Sequence, residues 1–374
     1  MLRLEPRVEA SRAMSVASPL IALLLTLVIA VLLFVALGKD PLQGLSMFFV
    51  EPLKSTRGLS ELSIKTAPLL LIALGLCVCF RSNLWNIGAE GQFILGAIGA
   101  SGVAIRATES SSGALLIVAS LCGTLCGMAW AAVVAYLRSR YNANEILVSL
   151  MLVYVAEQLL SYVVSGPWKD PQGYNFPQTV TFLDAVRVPQ LIEGTRANVG
   201  ILLALGLVVV VWVFLFRTHA GYRLEVGGLS PLAARYAGFS QKSALWTALL
   251  LSGALAGLAG ALEATGPVGQ LTTHLPLGYG FGAIIVAFVG RLNPFGATLA
   301  AVLMSLLYIG GEMSQSRLGL PKSLTYVFQG LLLFLLLACD TFTTHRLRFG
   351  KPRVALRSPP GQAAPPPGSE EGVP

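Results

Sequence analysis

The feature that most limits what this chain can become is a series of ten apolar blocks. They fall at about 16–37, 66–80, 87–105, 113–137, 146–164, 198–216, 244–262, 277–290, 295–310 and 324–339. A helix needs about 20 mostly apolar residues to cross the roughly 30 Å hydrocarbon core of a bilayer. Several blocks reach that length; 66–80 and 277–290 are short for it. Of the 374 residues only 12% are charged and 55% are hydrophobic, against about 25% charged in a soluble domain. So little charge cannot cover a water-facing surface of this size. An ordinary soluble enzyme and a disordered or collagen-like chain are both excluded. The pattern predicts an all-α, polytopic membrane bundle of about ten transmembrane helices, or eight or nine if a short block is re-entrant. A short or broken helix is expected near 81–92.

The net charge of +8 does not point to nucleic acid. No basic stripe is interleaved with aromatic residues, and the excess sits in short loops and at both termini, where it sets topology. Arg3, Arg7 and Arg12 precede the first block, which is too long for the core of a cleavable signal peptide; it reads as the first span. With residues 1–14 cytoplasmic, ten spans return the C-terminus to the same side, and every inside loop then carries Lys or Arg. This divides the chain into a membrane domain over 15–345 and a tail over 346–374. Within the domain, loop 165–197 faces out and loop 217–243 faces in. The tail holds Pro365, Pro366 and Pro367, cannot build a core, and is expected to be disordered. The five cysteines lie in or at the end of apolar blocks and read as small buried hydrophobes.

No nucleophile–base constellation or metal-binding motif is visible, and no GxxxxGK[ST] loop for ATP occurs. A transporter built on this chain would draw energy from an ion gradient or from a partner ATPase. The blocks hold only two acids, Glu90 and Glu157. Glu90 belongs to Leu84-Trp85-Asn86-Ile87-Gly88-Ala89-Glu90-Gly91-Gln92, where two glycines weaken a helix and three polar side chains gather. Broken helices at membrane depth line cavities or lie buried in protein, and transporters bind polar substrates at them. The competing reading makes Asn86 an N-cap and Glu90 a partner for amides of the first turn. Glu157 is either a pathway residue or a hydrogen-bonding group within the bundle.

Loop 217–243 carries a short helix. Ser230 suits the N-cap, Pro231 the first position and Gly238 the stop. Two turns are marginal alone and need something to dock against: the bundle's own ends, the headgroups, or a partner protein. Gly123 and Gly127; Gly253, Gly257 and Ala261; and Gly278 and Gly282 form small-residue faces for close helix packing.

The segment Asn86-Ile87-Gly88-Ala89-Glu90-Gly91-Gln92 resembles the "NIGAEGQ" stretch of nucleoside and simple-sugar permeases of ABC importers, part of the branched-chain amino acid, ribose and galactose permease group. Further likeness lies in Asn142-Ala143-Asn144-Glu145-Ile146 with Ser149-Leu150-Met151-Leu152, in Ser165 to Trp168 and Gly173 to Thr179, and in Gly221-Tyr222-Arg223 with Gly227 to Gly238. It continues through Ser252 to Gly260 and Gly278 to Pro294, so that it covers about 60–340. Two departures stand out: Trp85 replaces a more usual Phe, and Arg291-Leu292-Asn293-Pro294 replaces a glycine-containing turn. The resemblance implies a permease subunit that itself binds no cofactor, with ATP held by a partner ATP-binding cassette subunit. A second, related permease chain and an extracytoplasmic binding protein or lipoprotein would complete the importer, in contact with membrane lipid, in the bacterial inner membrane. A nucleoside is the leading cargo and a simple sugar the second. Asn86, Glu90, Gln92 and Glu157 then belong to the substrate pathway. Arg223, Ser230, Pro231, Ala233, Tyr236 and Gly238 belong to the coupling contact. The alternative is a gradient-driven carrier or channel using Glu90 and Glu157.

Overall fold

Polar residues set where the helices begin and end. A computed structural model describes residues 2–6, 12–108, 112–192, 194–321 and 323–349. In chain order the elements are β1 (Leu2–Pro6), α1 (Arg12–Ala36), α2 (Pro41–Phe49), α3 (Thr56–Arg81), α4 (Ala89–Ala104), α5 (Ala114–Tyr141), α6 (Glu145–Ser165) and α7 (Gly200–Arg217). They continue with α8 (His219–Leu229), α9 (Pro231–Tyr236), α10 (Gln241–Glu263), α11 (Tyr279–Val289), α12 (Pro294–Leu318), α13 (Ser323–Thr344) and β2 (His345–Phe349). The Asp40, Ser55, Asn144 and Asn293 side chains each accept a backbone N–H at the start of α2, α3, α6 and α12, supplying partners that a helix start lacks. Asn142 ends α5 in the left-handed region at φ 52°.

Among the described residues, eight helices are long and apolar enough to cross a membrane: α1, α3, α5, α6, α7, α10, α12 and α13. The ten apolar blocks are thus ten helices, but α4 and α11 are different in kind. At 16 and 11 residues they measure about 24 and 17 Å, short of a full span. The strands β1 and β2 pair antiparallel, Leu2 opposite Phe349, so these first and last described elements lie together at one end of the bundle, the termini end. Residues 346–349, expected to be disordered, therefore pair as part of this strand; the rest of the tail lies outside the described residues.

The centre is a three-helix contact of α4, α5 and α10. A Cβ added at Gly127 would sit 2.6 Å from Gly257 Cα, and one at Gly123 would sit 2.7 Å from Ala261 Cβ. Backbones this close need glycine on both sides, which is the role read for these small-residue faces. Gly278 and Gly282 are not such a face: Gly278 is the left-handed residue before α11, at φ 77°, with open space around it. The α11–α12 turn shows why a glycine suits it. Arg291 and Leu292 both take positive φ, 58° and 53°, at a cost of about 1–2 kcal/mol each. Arg291 offsets this through an ion pair with Asp340 at 2.7 Å, which ties the turn to α13.

Loop 166–199 folds over the far end and hydrogen-bonds to the chain after α10. Thr179 N–H donates to Leu271 O at 3.0 Å, Phe182 N–H to Gly269 O at 2.8 Å and Val188 N–H to Thr265 O at 3.1 Å. Substituting Gly127 with Val is expected to cost about 1–3 kcal/mol through overpacking. Thermal unfolding of the detergent-purified protein checks this; an unchanged melting temperature would contradict the packing described.

Candidate functional site

The two half-length helices meet in the middle of the bundle. After α3 reaches the termini end, residues 82–88 turn back, and α4 starts beside Ser252, about halfway along α10. After α10 reaches the far end, residues 269–278 return inward, and α11 starts beside Tyr308, about halfway along α12. Asn86 Nδ2 donates to Ser252 Oγ at 2.9 Å, and Tyr308 Oη donates to Gly278 O at 3.4 Å. The helices then run in opposite directions, α4 toward the far end and α11 toward the termini end. Their N-termini, each with free amides and a positive dipole end, face one another.

Glu90 occupies this junction. It is 1% exposed. Its carboxylate accepts the Gly278 N–H at 3.0 Å and the Gly280 N–H in a very short bond. A Cβ at Gly280 would fall 2.6 Å from Glu90 Cα, so glycine is what lets the helices approach. One of the two readings of Glu90, as a partner for amides of its own first turn, is corrected: it accepts amides of a helix about 190 residues away. One buried carboxyl group thus sits where two positive helix ends meet.

Asn86 and Gln92 are also buried. Their amides pair reciprocally, Asn86 Nδ2 to Gln92 Oε1 at 3.0 Å and Gln92 Nε2 to Asn86 Oδ1 at 3.1 Å. Asn86 Oδ1 further accepts Gly88 N–H at 3.2 Å. Asn86 is therefore not the N-cap, a position that Gly88 holds without a side-chain bond. The two amides clamp the returning chain to α10. Glu157, on α6, is half-buried and an electrostatic neighbour of Glu90; it makes no hydrogen bond or ion pair with the described residues.

A second surface lies at the termini end. Ser230 Oγ accepts the Ala233 N–H at 3.4 Å and Pro231 opens α9. Gly238 takes φ 78° just beyond the helix end, so a bulky residue there would strain the backbone itself and would not simply block a contact. Ala234 turns inward, while Ala233 is exposed, Leu232 is 81% exposed and Tyr236 is 95% exposed. Sequence reading missed α8, whose His219, Tyr222 and the following Phe239 form a ring cluster. The Arg223 guanidinium lies 5.9 Å from the Phe239 ring centre. Arg81, at the end of α3, pairs with Glu225 of α8, which fixes α8 to the bundle.

Sequence reading also missed charge on the membrane helices. It ended three blocks at 66, 262 and 310, yet α3, α10 and α12 extend past those limits. Lys65, Glu263 and Glu312 consequently lie on membrane helices. The signal was the polar ends of the blocks themselves, where a capped helix continues after apolarity stops.

This is a multi-pass membrane protein in which two opposed half-helices close on a buried acid. Residues 58–337 match the family model described as branched-chain amino acid transport system, permease component, and the chain belongs to that family. It is 33% identical to the glucose ABC transporter permease protein TsgB13 of Haloferax volcanii, over 92% of this chain and 93% of that one. It is 29% identical to the guanosine ABC transporter permease protein NupP of Bacillus subtilis, over 81% of this chain and 88% of that one. A second permease of the Haloferax organism, the putative glucose ABC transporter permease protein TsgC13, is 29% identical over 67% of this chain and 75% of its own. No solved structure matches the chain.

Replacing Glu90 with Gln removes one acceptor and strands one glycine amide, an expected loss of about 1–3 kcal/mol. A lower melting temperature in detergent checks this; equal stability of Glu90→Gln and wild type would show that the carboxylate does not hold α11.

Proposed function

We propose that this permease subunit forms one half of the translocation pathway of an ATP-driven importer for neutral, hydroxylated cargo, a nucleoside first and a simple sugar second. The termini end faces the cytoplasm of a bacterial cell, and α9 with the end of α8 docks in the ATPase subunit that binds ATP. A second, related permease chain supplies the other half of the pathway, and an extracytoplasmic binding protein or lipoprotein delivers cargo to the far end.

The observation that carries this reading is the α8–α9 face. Leu229 at the end of α8 and Leu232 and Tyr236 of α9 are all exposed at the bundle's end, and α9 has only six residues. Apolar groups clustered on a water-facing end mark a protein interaction site, and so short a helix holds its shape through what it docks against. The named relatives belong to glucose and guanosine ABC systems, whose cargoes are rich in hydroxyl groups. The matching pair of Haloferax permeases supports a related second chain. The gradient-driven alternative loses support because Glu90 is engaged by two backbone amides.

The test is uptake of radiolabelled uridine, guanosine, ribose and glucose into cells, before and after ATP depletion with the proton gradient held. ATP depletion is expected to abolish uptake; uptake that survives it and collapses with the gradient would contradict the proposal. Tyr236→Ala, at a fully exposed position, is expected to leave stability within about 0.5 kcal/mol while reducing recovery of the ATPase subunit with the purified permease. Undiminished recovery for a combined Leu232→Asp, Tyr236→Ala variant would remove α9 from the contact.

A further inference from the structure

The far ends of α3, α10 and α12 bring a charged group together that the fold itself does not need. Lys65 is buried and its Nζ lies 2.8 Å from Glu312 Oε1. Glu263, the last residue of α10, is 5% exposed, and its carboxylate makes no hydrogen bond or ion pair with any described residue. Its charged neighbours are Lys65, Arg196 and Glu61. A buried carboxylate without a hydrogen-bonding partner is costly, and such groups in membrane segments mark pathways and binding sites.

The surroundings say where a partner would enter. Directly after Glu263 the chain forms a π-turn, Ala264–Val268, a feature that recurs at functional sites. This turn is the floor of a cavity of about 430 Å³ at the far end, walled by Asp184, Arg187, Gln190, Arg196 and Asn198. Arg196 donates to Glu61 Oε1 at 2.9 Å and to Pro267 O at 3.1 Å, which joins the cavity floor to α3, the helix that carries Lys65. On the inner side, Tyr279 and Tyr308 pack edge to face at 5.7 Å, and Tyr308 reaches Gly278 of the Glu90 junction. The two tyrosines thus link α12 to the start of α11 at the meeting point of the half-helices.

We propose that Glu263 and Lys65 form a recognition site for the vicinal hydroxyl groups of neutral cargo, entered from the far-end cavity. The carboxylate accepts two hydroxyl donors from one diol, and the ammonium donates to a hydroxyl or ring oxygen. This deepens, and rests on, the importer reading. A site built to accept hydroxyl groups rejects analogues that lack them, because its own polar groups are then left unpaired.

The experiment uses vesicles containing the complete transporter, with initial uptake measured against concentration. Cargo pairs are uridine with 2′,3′-dideoxyuridine, and glucose with 3-deoxyglucose. Wild type is expected to favour the hydroxylated member by at least about tenfold. Glu263→Gln is expected to raise KM for that member by about tenfold and narrow the preference in a transporter that still assembles. Glu263→Asp, which keeps the charge, is expected to retain the preference. An assembled Glu263→Gln transporter with wild-type KM and preference overturns this site and leaves the importer standing. A wild type that takes up none of these cargoes in the presence of ATP overturns the importer reading and this site with it.

Discussion

The interaction on which the rest depends is the Glu90 carboxylate held between two helix N-termini. Neither α4 nor α11 spans a bilayer, and each begins at mid-depth with amides that no water can satisfy. An unpaired amide in that position costs several kcal/mol. One acid lies at both helix ends and accepts two N–H groups at the start of α11. Remove it and the start of α11 keeps only the Tyr308–Gly278 hydrogen bond there, with Gly278 at φ 77°.

Around this junction the fold supplies rigidity on one side and fewer constraints on the other. On the α4 side, glycines of α4, α5 and α10 bring three backbones into contact, and the Asn86–Gln92 pair ties the returning segment to Ser252. On the α11 side, the helix is 11 residues long, and its exit turn carries two left-handed non-glycine residues held by Arg291–Asp340. Two strained residues at the exit of a short helix are the kind of place where local motion concentrates. Arg81 and Glu225 tie α8 to the end of α3.

Much of this was legible in the sequence. The ten apolar blocks are ten helices, the caps of α9 fall on Ser230 and Pro231, and Asn86, Glu90 and Gln92 do gather at a break. Their roles were less legible. That Glu90 serves α11 depends on a contact across about 190 residues, which no local pattern encodes. Asn86 looked like a cap because its spacing to the helix suits one, yet its amide is spent on Gln92 and Ser252. Lys65, Glu263 and Glu312 escaped because apolarity, which set the block limits, ends before the helix does. The amphipathic α2 and the polar α8 lack a long apolar run altogether. The departure at Arg291-Leu292 was legible as an anomaly, and positive φ at both residues gives it a physical meaning.

The most direct test of the central claim is hydrogen exchange at the backbone amides of residues 278–281, measured in the intact detergent-purified protein and in Glu90→Ala. If Glu90 holds α11 in place, these amides exchange slowly in wild type and much faster in the variant, while the mid-helix amides of α5 are unchanged. Equal protection in both proteins would mean that α11 is anchored by something other than Glu90, and the account built on that junction would fail.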